Sequence, residues 1–239
     1  MEKSFIIVII IFLFIACSKV DDWKKIGQEI AINTFLALED DWVRMEFKFL
    51  YSDQLSTLSK NQKKLLVASG DSLIQLYPQM KKMMYDIFNR FNSIKFEIDP
   101  FLENFACYDA ATHTISFRSE ECINRNCLLE ELLHALQTCW QGLYPPLCRK
   151  DKEFEVKVFR DMLEYRRLKF PNYFIFWGLS EREAEDPEYK NAYPLWILAA
   201  ACNLESLLGD FYVFSSKWKG EGGQSNASFI PWIIEMYYY

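Results

Sequence analysis

The apolar residues of this chain change period twice between Ser69 and Trp140, and that switch limits the folds open to it. Leu73, Leu76, Met80, Met83, Met84, Ile87 and Phe91 recur at three- and four-residue intervals, so Ser69 to Phe91 reads as a packing helix. From Ser93 to Asp99 the pattern alternates, with Ile94, Phe96 and Ile98 on one side, as in a strand lying on a core. His113, Ile115 and Phe117 alternate again after the turn-like Tyr108-Asp109-Ala110-Ala111, which predicts a hairpin of Asn104–Cys107 with Thr112–Arg118. Helical spacing then returns over Asn126–Trp140 and Asp151–Leu168, with Pro145-Pro146 punctuating the loop between them. Asp21–Leu38 is a further helix by the same spacing. Leu195–Leu208 is apolar nearly all round, which predicts a buried helix ended by Gly209, and Gly220–Ser228 reads as a loop. Helices surrounding a short run of strands make an α+β fold, mostly helical, with a small antiparallel sheet preceding the Asn126–Trp140 helix.

The first residues carry different information. Lys3 precedes an unbroken apolar run, Phe5 to Ala16, of twelve residues. A bilayer-spanning helix needs roughly 20, so the run suits the core of a signal peptide better than a membrane span. Phe14-Ile15-Ala16-Cys17 resembles the bacterial lipobox, although Phe14 and Ile15 depart from its usual leucine and small residue. On that resemblance residues 1–16 are a lipoprotein signal peptide, Cys17 is the lipidation site, and 17–239 form a single exported globular domain. The lipid on Cys17 would then anchor the protein to the bacterial cell-envelope membrane.

Aromatic residues make up 17% of the chain, which argues against disorder. The net charge of −6 comes from interspersed acids and bases with no basic stripe, so no nucleic-acid partner is expected. Beyond Cys17 the cysteines are Cys107, Cys122, Cys127, Cys139, Cys148 and Cys202, an even set that would permit disulfides after export. Cys122/Cys127 and Cys139/Cys148 would each close a short loop. No C-x-x-C pair occurs, so a zinc finger is not expected.

The segment richest in chemistry is Leu128-Leu129-Glu130-Glu131-Leu132-Leu133-His134-Ala135-Leu136-Gln137. On a helix, Glu130, Glu131, His134, Gln137, Thr138 and Gln141 form one polar stripe, and the leucines cover the other side. Such a stripe equally suits a solvated helix face. Glu130 and His134 are one turn apart and can hold one metal ion, while Glu131, offset by about 100°, can reach a water there as general base.

These residues resemble the zincin metallopeptidases, whose helix carries H-E-x-x-H; here Glu130 replaces the first histidine. The preceding hairpin also matches those enzymes, where an edge strand aligns the substrate. Nineteen residues after His134 begins Glu153-Phe154-Glu155-Val156-Lys157-Val158-Phe159, which resembles the gluzincin second helix with its third ligand glutamate. The resemblance covers Ser93 to about Phe170. It implies a metallopeptidase hydrolysing peptide bonds with a zinc-activated water, in which Glu130, His134 and Glu153 hold zinc and Glu131 is the catalytic base. Helical phase places Glu155 on the apolar side of its helix, where a carboxylate needs a partner or a metal, so Glu155 is a rival third ligand. Lys157 stands where a partner of the first imidazole is expected, and it could pair with Glu130 instead. That pairing leads to the alternative: a metal-free, inactive relative acting as an envelope binding or structural protein, its partner a peptide or protein.

His113 could line a cleft beside the hairpin or be packed in it. Tyr173, Phe174, Phe176 and Trp177 suit either a pocket wall or core packing, and Trp232 with Tyr237-Tyr238-Tyr239 either a partner surface or docking on the domain.

Overall fold

The computed structural model describes Phe47 and residues 56–145, 148–168, 176–179, 185–202, 204–220 and 223–237. All lie in one unit, Glu46–Tyr239. The leader, Cys17, the Asp21–Leu38 helix, Tyr173, Phe174, Tyr238, Tyr239 and the Cys202 side chain fall outside the described residues.

Helix α1 (Lys60–Leu76) begins at a capping box: the Ser59 hydroxyl accepts from Gln62 N, and Gln62 Oε1 accepts from Ser59 N at 2.8 Å. It stops at Tyr77, because the proline that follows disfavours helical dihedrals in the residue before it. Helix α2 (Met80–Phe91) then packs Met80, Met83, Met84 and Ile87 into the core and ends at Asn92, whose φ of 66° closes the last turn. The single helix expected over Ser69–Phe91 is therefore two, broken at Tyr77-Pro78 and beginning earlier.

Strands β1 (Lys95–Ile98), β2 (Ala106–Asp109) and β3 (Thr114–Phe117) form a sheet in the order β1-β3-β2. The hairpin of β2 and β3 is antiparallel, as expected, but β1 runs parallel to β3, with Phe96 beside Ile115. The sheet is thus mixed, which corrects the antiparallel expectation. A loop over residues 99–105 carries the chain past β3, so β2 lands on the far edge and β1 pairs with the strand after next. Phe96, Ile115 and Phe117 point into the core, where Phe96 meets Phe47 at 6.1 Å between ring centres. Gly70 allows this packing, because a Cβ there would collide with the Phe47 ring.

Helix α3 (Arg125–Cys139) starts at Asn124, whose side-chain oxygen accepts from Asn126 N and Cys127 N, both at 3.1 Å. Helix α4 (Arg149–Leu168) packs on it, and Phe154 of α4 is the centre of an aromatic cluster with Tyr193, Trp196, Phe211 and Trp218. Those partners come from helices α5 (Pro187–Cys202) and α6 (Leu204–Lys217) and the residue following α6. The continuous helix expected over Leu195–Leu208 is instead two helices, and Gly209 lies inside α6 rather than at its end. Asn203, a residue type that favours caps over helix interiors, stands between them in sequence. Burial is also one-sided: Tyr193, Trp196, Ile197 and Ala200 are buried, whereas Leu195 is 66% exposed.

Helix α7 (Trp232–Tyr237) buries Ile233, Ile234 and Tyr237. The Tyr237 hydroxyl donates to Asp86 and accepts from Trp140 Nε1 at 3.1 Å, and Trp232 Nε1 donates to the Leu143 carbonyl. Trp232 and Tyr237 are therefore docked on this unit. The architecture is α+β, mostly helical with a small sheet ahead of α3, and no described helix is long and apolar enough to cross a membrane.

Candidate metal centre between α3 and α4

Two neighbouring helices bring the acidic and imidazole groups to one place. Ligand-capable atoms of Glu130, His134 and Glu153 all lie within 4.8 Å of one another. Glu130 and His134 come from successive turns of α3, and Glu153 from the second turn of α4, so helical spacing fixes one pair and helix packing supplies the third. His134 Nε2 faces Glu153 Oε2 at 3.4 Å. Burial alone would lower the imidazole, but the hydrogen bond and charge of Glu153 outweigh it and push His134 up to about 9. The same contact holds the Glu153 carboxyl below its usual range against the upward pull of burial.

Glu131 sits beside this group and is only 7% exposed. Burial pushes its carboxyl up to about 7, opposed by His134 and by a hydrogen bond from the Tyr108 main chain. That bond puts strand β2 alongside the cluster, and β2 is an edge of the sheet. The polar side of α3 is accordingly no solvated face, since Gln137 as well as Glu131 is buried.

Glu130 is held by two cations. Lys157 Nζ reaches its Oε1 at 2.5 Å, as the sequence suggested, and Arg160 Nη1 reaches its Oε2. Burial favours the neutral acid, but Lys157 and Arg160 together keep this carboxyl below its usual range. Arg160 is 2% exposed, although it shares the helical phase of Glu153 and Lys157. Its guanidinium is sandwiched between Glu130 and the Trp177 ring, 3.7 Å from the ring centre. The turn carrying Trp177 is pinned by Asp161, which accepts from Trp177 N, Gly178 N and the Tyr193 hydroxyl. Neither Arg160 nor Asp161 had a distinguishing signal in sequence, because their partners lie on separate segments.

Glu155 does not join the cluster. It is fully buried and accepts from Gln137 Nε2 at 2.7 Å, the Tyr144 hydroxyl at 2.9 Å and Ile233 N at 2.7 Å. The burial argument for a partner was right, and the partners are these three donors. Gln137 in turn places its Oε1 3.0 Å from His134 Nδ1.

His113 stacks on Phe91 with ring centres 4.0 Å apart and bonds Tyr108 OH through Nδ1 at 3.0 Å. It also lines a cavity of about 340 Å³ with Phe91, Thr138 and Gln141. Phe176 packs edge-on against Tyr193. Cys107, Cys122, Cys127, Cys139 and Cys148 are free thiols, so neither short loop is closed by a disulfide. Comparison with protein-family models, curated proteins and solved structures finds no significant match.

Proposed function

We propose that this chain is a zincin-like, zinc-dependent peptidase, held at the bacterial cell envelope by a lipid on Cys17. The observation that carries the reading is the convergence of Glu130, His134 and Glu153 within 4.8 Å beside the buried Glu131. One imidazole nitrogen and two carboxylate oxygens are a donor set that suits zinc. Each oxygen of an ionised carboxylate has two lone-pair sites, so Glu130 bonded to Lys157 and Arg160 keeps one free on each oxygen. Those cations also offset the extra negative charge that a glutamate brings where a neutral histidine would stand. Ligating carboxylates are commonly hydrogen-bonded in this way.

Zinc held by these residues would supply Lewis acidity towards a peptide carbonyl and make a nearby water more acidic. The remaining work falls to the chain. A Glu131 carboxylate oxygen takes the proton from the attacking water and later delivers it to the leaving amine. β2 is an edge strand, and its outward main-chain groups other than the Tyr108 N–H, which Glu131 takes, would align an extended peptide alongside it.

A second reading is favoured by a specific observation: both oxygens of Glu130 are already paired, one by a fully buried arginine. In that reading the cluster is a closed ion network in a metal-free relative that binds a peptide or protein without cleaving it. Metal analysis of the purified protein decides between them. The peptidase reading expects about one zinc per chain and a higher melting temperature with zinc than without, because a ligand of the folded state alone stabilises it. Glu131→Gln should then retain zinc while losing peptide cleavage. A protein that binds no zinc and gains no stability from it belongs to the second reading.

A further inference from the structure

The amide of Gln137 has only one orientation open to it. Its Nε2 lies 2.9 Å from the Lys152 carbonyl oxygen and 2.7 Å from Glu155 Oε2. A main-chain carbonyl can only accept, so the amino end of the amide must face it. The other end, Oε1, is also purely an acceptor, and it lies 3.0 Å from His134 Nδ1. An acceptor at that distance calls for a proton on Nδ1. Glu155 is itself fixed by Tyr144 OH and by Ile233 N from the last helix, so the chain of bonds is anchored in the core.

We propose that Glu155 and Gln137 are positioning residues that hold the His134 ring with Nδ1 protonated and Nε2 turned towards Glu153. The imidazolium satisfies both contacts, Nδ1–H to Gln137 Oε1 at 3.0 Å and Nε2–H to Glu153 Oε2 at 3.4 Å. When the ring loses one proton, the shorter contact at Gln137 keeps its N–H and the lone pair falls on Nε2, where the candidate ligands meet. The other tautomer would keep the longer bond to Glu153 but set two acceptors 3.0 Å apart at Gln137, whose amide cannot turn to relieve them. The relay assigns a role to Glu155 distinct from metal ligation: it acts through an amide on the imidazole one turn away. Its use in metal binding rests on the function proposed above, whereas the tautomer itself does not.

Long-range proton–nitrogen NMR correlations of the two imidazoles in the full chain test this directly, with His113 assigned from a His113→Gln variant. In alkaline solution, where the ring is neutral, His134 Nδ1 should resonate as a pyrrole-type nitrogen and Nε2 as a pyridine-type one. Gln137→Met keeps the volume and removes the acceptor, so its Nδ1 signal should move towards the pyridine-type position as both tautomers become populated. Glu155→Gln keeps an acceptor for the Gln137 amide but sets an amino group near Ile233 N. It should melt lower than the wild type yet keep the wild-type imidazole pattern, whereas Glu155→Leu, which takes away the acceptor that holds the Gln137 amide, should move the His134 Nδ1 signal as Gln137→Met does; a merely structural Glu155 would leave that signal unchanged in both variants, and that result overturns its positioning role. A pyridine-type Nδ1 in the wild type, or an unchanged spectrum in Gln137→Met, overturns the proposal. Titrating zinc into the wild type adds a separate arm: an undisturbed Nε2 signal counts against the peptidase reading and leaves the tautomer assignment standing.

Discussion

Glu130 is paired with two cations, and these are not equivalent. The Lys157 side chain is 21% exposed and water can replace part of its interaction, whereas Arg160 is 2% exposed. Lys157→Ala should therefore cost about 1 kcal/mol. Arg160→Ala removes a buried partner of a buried charge together with its contact on Trp177, and should cost about 3 kcal/mol or more. Urea unfolding of both variants checks the order, and a larger loss for Lys157→Ala would contradict it. The Lys157 pairing could be anticipated because its position on the second helix is set by spacing from Glu153. Arg160 could not, since its burial depends on Trp177, brought over it by a turn that Asp161 holds. Glu155 shows the same limit from the other side. Its helical phase announced burial, but one of its donors, Ile233 N, is 78 residues away in sequence.

At the scale of elements, local signals were reliable where the chemistry is local. The Asn126–Trp140 and Asp151–Leu168 helices lie within two residues of the observed α3 and α4, because an Asn cap and a proline-rich loop punctuate them. The capping box of α1 is also local, and Ser59→Ala should lower stability by about 1 kcal/mol, seen as a fall in the thermal midpoint. Replacing Ser59 with Asp should preserve it. Where two patterns abut, periodicity failed: apolar spacing runs straight through Tyr77-Pro78, although the proline ends the helix. Gly209 misled in the opposite sense, since a glycine punctuates a helix only when the tertiary structure lets the chain turn there, and here α6 packs on through it. The direction of β1 was likewise invisible, because the alternation of Ile94, Phe96 and Ile98 is the same for a parallel as for an antiparallel neighbour.

At the scale of the whole described unit, the last helix braces the site from behind. Ile233, Ile234 and Tyr237 are each at most 2% exposed, and burial of such side chains is worth about 2 kcal/mol apiece. Ending the chain after Pro231 removes these contacts and a donor to Glu155, so it should cost on the order of 5 kcal/mol, read from denaturant unfolding. A truncated chain as stable as the full one would mean that α7 contributes little to holding α3 and α4 together.

The order of helix and strand, the α+β class and the company of Glu130 with His134 were all contained in the sequence, because they follow from residue spacing along one backbone. Tertiary structure alone decided that β1 runs parallel to β3, that Glu153 meets His134 while Glu155 turns to Gln137, and that Arg160 closes on Glu130. Each of these depends on how separate elements pack, and packing is settled by shape, burial and the satisfaction of buried polar groups across distances that no local pattern records.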